Sequence, residues 1–189
     1  MNAGRRQVRT DEATMTSQEG HRRRSNCEYR VGVQVDAQPA TVALDGESLF
    51  NLVAKSWTAY LGRPDDEPLT RIEDPGPLDV VASISLTGAW DGHIVISMTD
   101  AAAAMVAAAM LDLDPSTVTD ADIADAAGEW VNVVGGNAKT LLPKPCQLSL
   151  PMTSRSGRIR YPGTRPLCSL TLPLRGEPVT VAVRQLDLS

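Results

Sequence analysis

From Thr119 to Pro143 the chain repeats apolar residues at helical spacing: Ile123, Ala127, Trp130, Val134, Ala138 and Leu141. At about 100° per residue they share one side of a helix. Asp125, Glu129, Asn132, Gly136 and Lys139 fall together on the other side. An amphipathic helix of this kind must lay its apolar side on a core that other elements supply. The fold is therefore layered. Thr119 and Asp122 are spaced as a capping box that opens the helix, and Pro143 is expected to end it. The same helix accepts Gly128, Gly135 and Gly136, each at a cost of about 1 kcal/mol relative to alanine. Gly128 and Gly136 fall beside the carboxylate and the amide, where they remove bulk. They could open the outer face to another backbone. Equally, Gly135 and Gly136 could let the helix pack closely on a strand. Geometry alone leaves both open.

The other elements follow in a readable order. Residues 29–37, YRVGVQVDA, alternate and predict a first strand or its approach. Leu49, Leu52, Val53, Trp57 and Tyr60 stand at helical spacing, with Gly62 as the stop. The Pro- and acid-rich stretch 63–78 reads as a loop. Residues 79–99 are two alternating runs about a Gly-Ala-Trp-Asp-Gly turn, a hairpin. In it, WDGH at 90–93 reads as structural. Thr99 and Asp100 can cap the Ala-rich helix that follows, and DLDPSTV breaks it. CQLSLPM, LCSLTLPL and VTVAVRQLDL predict three late strands, the first two joined by the basic loop 153–166. The sum is an α+β fold: a mostly antiparallel sheet of about six strands packed with three helices.

Charge and composition exclude several functions. Residues 1–27 hold six arginines against three acids and lack apolar periodicity, so they are expected to be a disordered basic tail. Met15 is an alternative start to Met1. The folded domain is assigned to residues 28–189, with twelve basic and twenty acidic residues. A body so acidic does not bind nucleic acid generically. The longest Ala-rich run is about half a membrane span, and no apolar segment follows Arg5 and Arg6. A cytoplasmic location is expected. Three cysteines without CxxC spacing and two distant histidines argue against a disulfide framework and against a protein metal cage.

The polar stripe is where the chemistry is expected. Asn is neither nucleophile nor base, but its carbonyl can accept from a water and its NH₂ can donate to a phosphoryl oxygen. Phosphoryl transfer asks mainly for positioning and charge stabilisation. Glu129 could act as a base or pair with a cation on a partner. No Ser-His or Cys-His constellation and no GxxxxGK loop competes with this stripe in the sequence.

Asp125-x-x-x-Glu129-x-x-Asn132, followed by VVGGNAKTLLP, resembles the CheC/CheX/FliY phosphatase family, and CheX among its branches. The resemblance covers about residues 28–189, with the hairpin, Ala-rich helix and trailing strands in family order. It implies hydrolysis of the aspartyl phosphate of a CheY-like response regulator. By resemblance Asn132 would orient the attacking water and Glu129 would pair with the partner's active-site lysine. Asp125, Gly128, Gly136 and Lys139 would line the partner contact. The Mg²⁺ would belong to the partner, leaving no metal or other cofactor in this chain. Family members of the CheC type carry two such sites. Here Glu47 and Asn51 are one residue too far apart, which favours a single site. CheX-like chains are dimers, and an exposed edge at the late strands suggests strand exchange or edge pairing. The family's proline about twenty residues past the Asn is absent: Arg155 lies in that region, and the nearest proline is Pro151. A binding module using the same face without catalysis is the alternative function.

Overall fold

The computed structural model describes residues 44–62 and 72–187. The expected basic tail, the expected strand at 29–37 and most of the loop after Gly62 lie outside the described residues.

Helix α1 spans Gly46–Leu61. Asp45 caps it, accepting from the Ser48 backbone N–H at 2.9 Å. Gly62 closes it at φ 59°, a left-handed value that glycine adopts without strain. Strands β1 (Val80–Gly88) and β2 (Gly92–Met98) form the expected hairpin. Its turn is structural, as WDGH suggested: Trp90 is buried, and Asp91 accepts from the Gly88 N–H at 3.0 Å. Thr99 caps helix α2 (Asp100–Leu111), which ends at Asp112 in the left-handed conformation. A short 3₁₀ turn at Pro115–Thr117 leads to helix α3, Asp120–Ala138.

Helix α3 starts as its sequence indicates. The Thr119 N–H donates to Asp122 Oδ2 at 2.8 Å, and the Asp122 N–H donates back to Thr119 Oγ1 at 3.3 Å. The Thr119 hydroxyl also donates to Asp122 Oδ2 at 2.6 Å, and this bond, then that of the Thr119 N–H, hold the Asp122 carboxyl below its usual pKa. The end of the helix differs from expectation. Helix α3 stops at Ala138 and passes into a 3₁₀ turn, Lys139–Leu141, well before Pro143. The residues before the stop, Gly135-Gly136-Asn137, are poor helix formers. Thr140 Oγ1 then donates to the Asn137 carbonyl at 2.7 Å and completes the exit.

Four further strands follow: β3 (Cys146–Leu148), β4 (Met152–Ser154), β5 (Thr164–Leu174) and β6 (Glu177–Leu186). The run CQLSLPM is thus two short strands, interrupted at residues 149–151, where Ser149 Oγ accepts from the Ser85 N–H. The six strands form one antiparallel sheet in the order β3-β1-β2-β6-β5, with β4 also on β1. Among the described residues, β5 is the outer strand on one side of the sheet and supplies the edge expected of the last two strands, while β6 lies inside, between β2 and β5. Pro166 and Pro173 in β5 suit an outer strand, where a missing N–H breaks no ladder.

The three helices lie on one face of the sheet. Alternate residues Val80, Ala82, Ile84 and Leu86 of β1, with Ile94, Ile96 and Met98 of β2, are buried in the shared core. From the helices come Leu49, Val53 and Trp57, Val106, and Trp130, Val131 and Val134. Trp57 and Trp130 meet edge to face, centroids 5.5 Å apart, and Trp130 Nε1 donates to the buried Ser56 hydroxyl at 3.4 Å. A paired indole N–H makes so large a buried ring tolerable. These contacts fix the rotation of α3 and thereby the direction of its polar stripe. No described helix is long and apolar enough to cross a membrane.

Candidate functional site

With Ile123, Ala127, Trp130, Val134 and Ala138 all buried, α3 turns Asp125 and Glu129 outward. Asn132 is half-buried one turn further on, about 4.5 Å along the axis from Glu129. Among the described residues neither carboxylate nor the amide has a hydrogen bond or ion pair. All three are therefore free to engage a second molecule.

The glycines divide between the two roles the sequence left open. Gly135 is a packing glycine: an added Cβ would stand 2.8 Å from Ile84 Cγ2 and 3.3 Å from Leu148 Cδ2. It lets α3 settle on β1 and β3. Gly136 is the opposite case, since an added Cβ would meet nothing within 4 Å. Gly128 is buried, and an added Cβ would stand in ordinary contact, 3.6–3.8 Å from side-chain atoms of Thr153 and Pro151. The neighbours at Gly128 are therefore side chains of the chain's own Pro151–Thr153 segment, at a distance that would also accept a methyl group. Pro151, the proline nearest the family position, packs beside the site helix.

A groove of about 510 Å³ opens beside Glu129. Asp125, Gly128 and Glu129 lie along α3, Met110 and Leu111 at the end of α2, and Pro151 and Thr153 on the sheet-edge segment. Asn132 does not line it. Lys139 stands about 15 Å along the axis from Glu129 and lines a separate hollow with Lys144, Pro145, Cys146 and Gln147. Burial there raises the Cys146 pKa, the Lys139 charge opposing it. The groove walls were not apparent in the sequence, because Met110, Leu111 and Pro151 are far from the ExxN residues along the chain.

A Ser-His pair that sequence spacing did not show forms away from the stripe. The β1–β2 register sets Ser85 opposite His93, and Ser85 Oγ lies 3.1 Å from His93 Nδ1. Strand pairing joins residues that sequence spacing does not. The pair faces away from α3, on the other side of the sheet. Tyr161 packs on the His93 ring at 5.0 Å, and Arg184, opposite His93 on β6, lies 5.8 Å from the Tyr161 ring. Burial, and then the Arg184 charge, push the His93 pKa down. This cluster is separate from the Glu129 groove.

Residues 80–172 match the family model for chemotaxis phosphatase CheX, so this segment is a CheX-family one. The fold is that of CheX proteins of known structure. CheX from Vibrio vulnificus superposes with a TM-score of 0.56 at 18% identity, over 71% of this chain and 94% of that one. The CheX of the CheX–CheY–BeF3–Mg complex from Borrelia burgdorferi gives 0.56 at 20% identity, over 75% and 97%. A CheX from Desulfovibrio desulfuricans gives 0.55 at 20%, over 74% and 97%. Comparison of the sequence with curated proteins gives no match.

Proposed function

We propose that this chain is a cytoplasmic phosphatase of CheY-like receiver domains, with Asn132 orienting the attacking water and Glu129 pairing with the partner's active-site lysine. The observation that carries the reading is the outward Glu129–Asn132 pair, unpartnered among the described residues, on a helix whose opposite face is locked into the core. The family match supports it, as does the Borrelia CheX being seen in complex with CheY, BeF3 and Mg.

The chemistry asks little of this chain. The water oxygen attacks phosphorus, the bond from phosphorus to the aspartyl oxygen breaks, and the aspartate leaves as a carboxylate. Both protons of the water stay with the released phosphate, one on the attacking oxygen and one on a phosphoryl oxygen. Asn132 would accept a hydrogen bond from the water and donate one to a phosphoryl oxygen, holding the attack in line. The Mg²⁺ is assigned to the receiver. Asp125, Gly136 and Lys139 extend the docking stripe, and Gly128 lies beneath it, against the Pro151–Thr153 segment. The protein acts as a homodimer joined through a sheet edge.

Single-turnover dephosphorylation of a phosphorylated receiver, with binding to its beryllofluoride form measured in parallel, tests this. Asn132→Ala is expected to slow hydrolysis about 10²- to 10³-fold with binding nearly unchanged, since the amide acts in the transition state. Glu129→Ala is expected to weaken both binding and rate, because a partner charge is left unpaired. Wild-type hydrolysis by Asn132→Ala would overturn the catalytic role. Binding without any hydrolysis by the wild type would leave a receiver-binding module instead.

A further inference from the structure

The groove beside Glu129 offers more than the two residues the proposed reaction uses. One wall, Met110 and Leu111, is aliphatic, and Leu111 is 40% exposed. Pro151 and Thr153 form the other wall. The only charges lining it are the carboxylates of Asp125 and Glu129, neither paired among the described residues. Large apolar side chains left open beside unpaired charge of one sign mark a contact surface. We infer that this groove is a recognition cleft of the receiver partner: it takes an aliphatic side chain that the partner presents next to the basic group paired with Glu129.

This inference rests on the receiver-phosphatase reading above and names what selects the receiver. Charge complementarity picks the occupant. An acidic or uniformly polar surface would leave Asp125 and Glu129 desolvated without a counter-charge, a costly arrangement. A purely apolar peptide would do the same. A partner with an aliphatic residue beside a lysine or arginine satisfies the walls and the carboxylates together. Because the walls lie to one side of Asn132, they act in docking and leave the reacting phosphoryl group to the amide.

The experiment uses receiver domains from the genome that encodes this chain. Hydrolysis of the phosphorylated receiver gives KM and kcat, and the beryllofluoride-loaded receiver gives Kd. Leu111→Gln keeps size and helix propensity while removing the aliphatic wall, and Leu111→Ala is the second variant should the first fold poorly. Both are expected to raise Kd and KM about tenfold, with kcat at saturation within about twofold of wild type. Asp125→Asn should raise Kd and flatten its salt dependence. Tyr60→Ala, another exposed large side chain but on α1, should change neither constant. If both Leu111 variants keep wild-type Kd and KM while the wild type hydrolyses the receiver, the cleft is overturned and the function stands. A fall in kcat with KM unchanged overturns it too. If the wild type neither binds nor hydrolyses any receiver, the functional reading fails and the cleft with it.

Discussion

Two adjacent glycines show how finely the site helix is built. Gly135 has Ile84 Cγ2 where a side chain would go, and Ile84 is a buried, β-branched residue with no room to yield. Gly135→Ala should therefore destabilise the protein by about 1–3 kcal/mol, the usual cost of overpacking, even though alanine favours helix. Gly136→Ala meets open space and should raise stability by up to about 1 kcal/mol. Urea unfolding of the two variants measures the contrast directly. If Gly136 also lies under the docked receiver, as its place beside Asn132 suggests, the stabilised variant should bind the receiver more weakly. An unchanged Kd would return Gly136 to the merely tolerated glycines.

Among the elements, the β1–β2–β6 ladder carries a group that makes stability depend on pH just below neutrality. His93 sits between Ser85 on β1 and Arg184 on β6, with Tyr161 over its ring. Burial and the neighbouring guanidinium hold its pKa in the folded protein below the usual value of 6.5. Below 6.5 the unfolded chain takes up a proton that the folded chain still refuses. Stability from this group is thus lost as pH falls through 6.5, and the loss levels off below the folded pKa. Urea midpoints at pH 7.5 and pH 5.5 should differ for the wild type. His93→Gln should narrow that difference; an undiminished gap would place the titration elsewhere. At another junction, Arg155 on the segment after β4 reaches Asp100 at 2.8 Å and Asp120 at 3.3 Å, the first residues of α2 and α3. It ties the segment that carries Pro151 and Thr153 to both helices that flank the groove. These charges are partly to largely exposed, so the pairs are worth little in stability; their role is alignment.

At the scale of the whole molecule, two features await measurement. The proposed dimer should appear in light scattering as twice 20.2 kDa at micromolar concentration. A monomeric mass would remove it. Edge β5 already has one acceptor engaged, the Thr171 carbonyl taking the Ile72 N–H at 3.0 Å, and prolines at 166 and 173 bound the stretch on which a second copy could pair. Removal of residues 1–27 should leave the melting temperature and hydrolysis unchanged, since their composition cannot offset the entropy of ordering. A large loss of melting temperature would show that the tail belongs to the fold.

Local rules were enough to specify much of this chain. The capping bonds of Thr99 and Thr119, the stop at Gly62, the hairpin about Trp90 and the buried side of α3 all rest on residues within a few positions of one another. Interactions of that range are visible in a linear sequence. For the same reason Glu129 and Asn132 could be placed on one outward stripe before any tertiary contact was known. The early end of α3 was missed because the weak helix preference of Gly135-Gly136-Asn137 outweighed the more conspicuous Pro143. The remaining features depended on contacts between distant segments. Only the strand register could put Ser85 against His93, and only the sheet order could bury β6 and leave β5 outside. Only the packing of β3, β4 and the end of α2 around α3 could separate the tight Gly135 from the open Gly136. The same packing built an aliphatic cleft beside Glu129 from residues some twenty positions away in either direction.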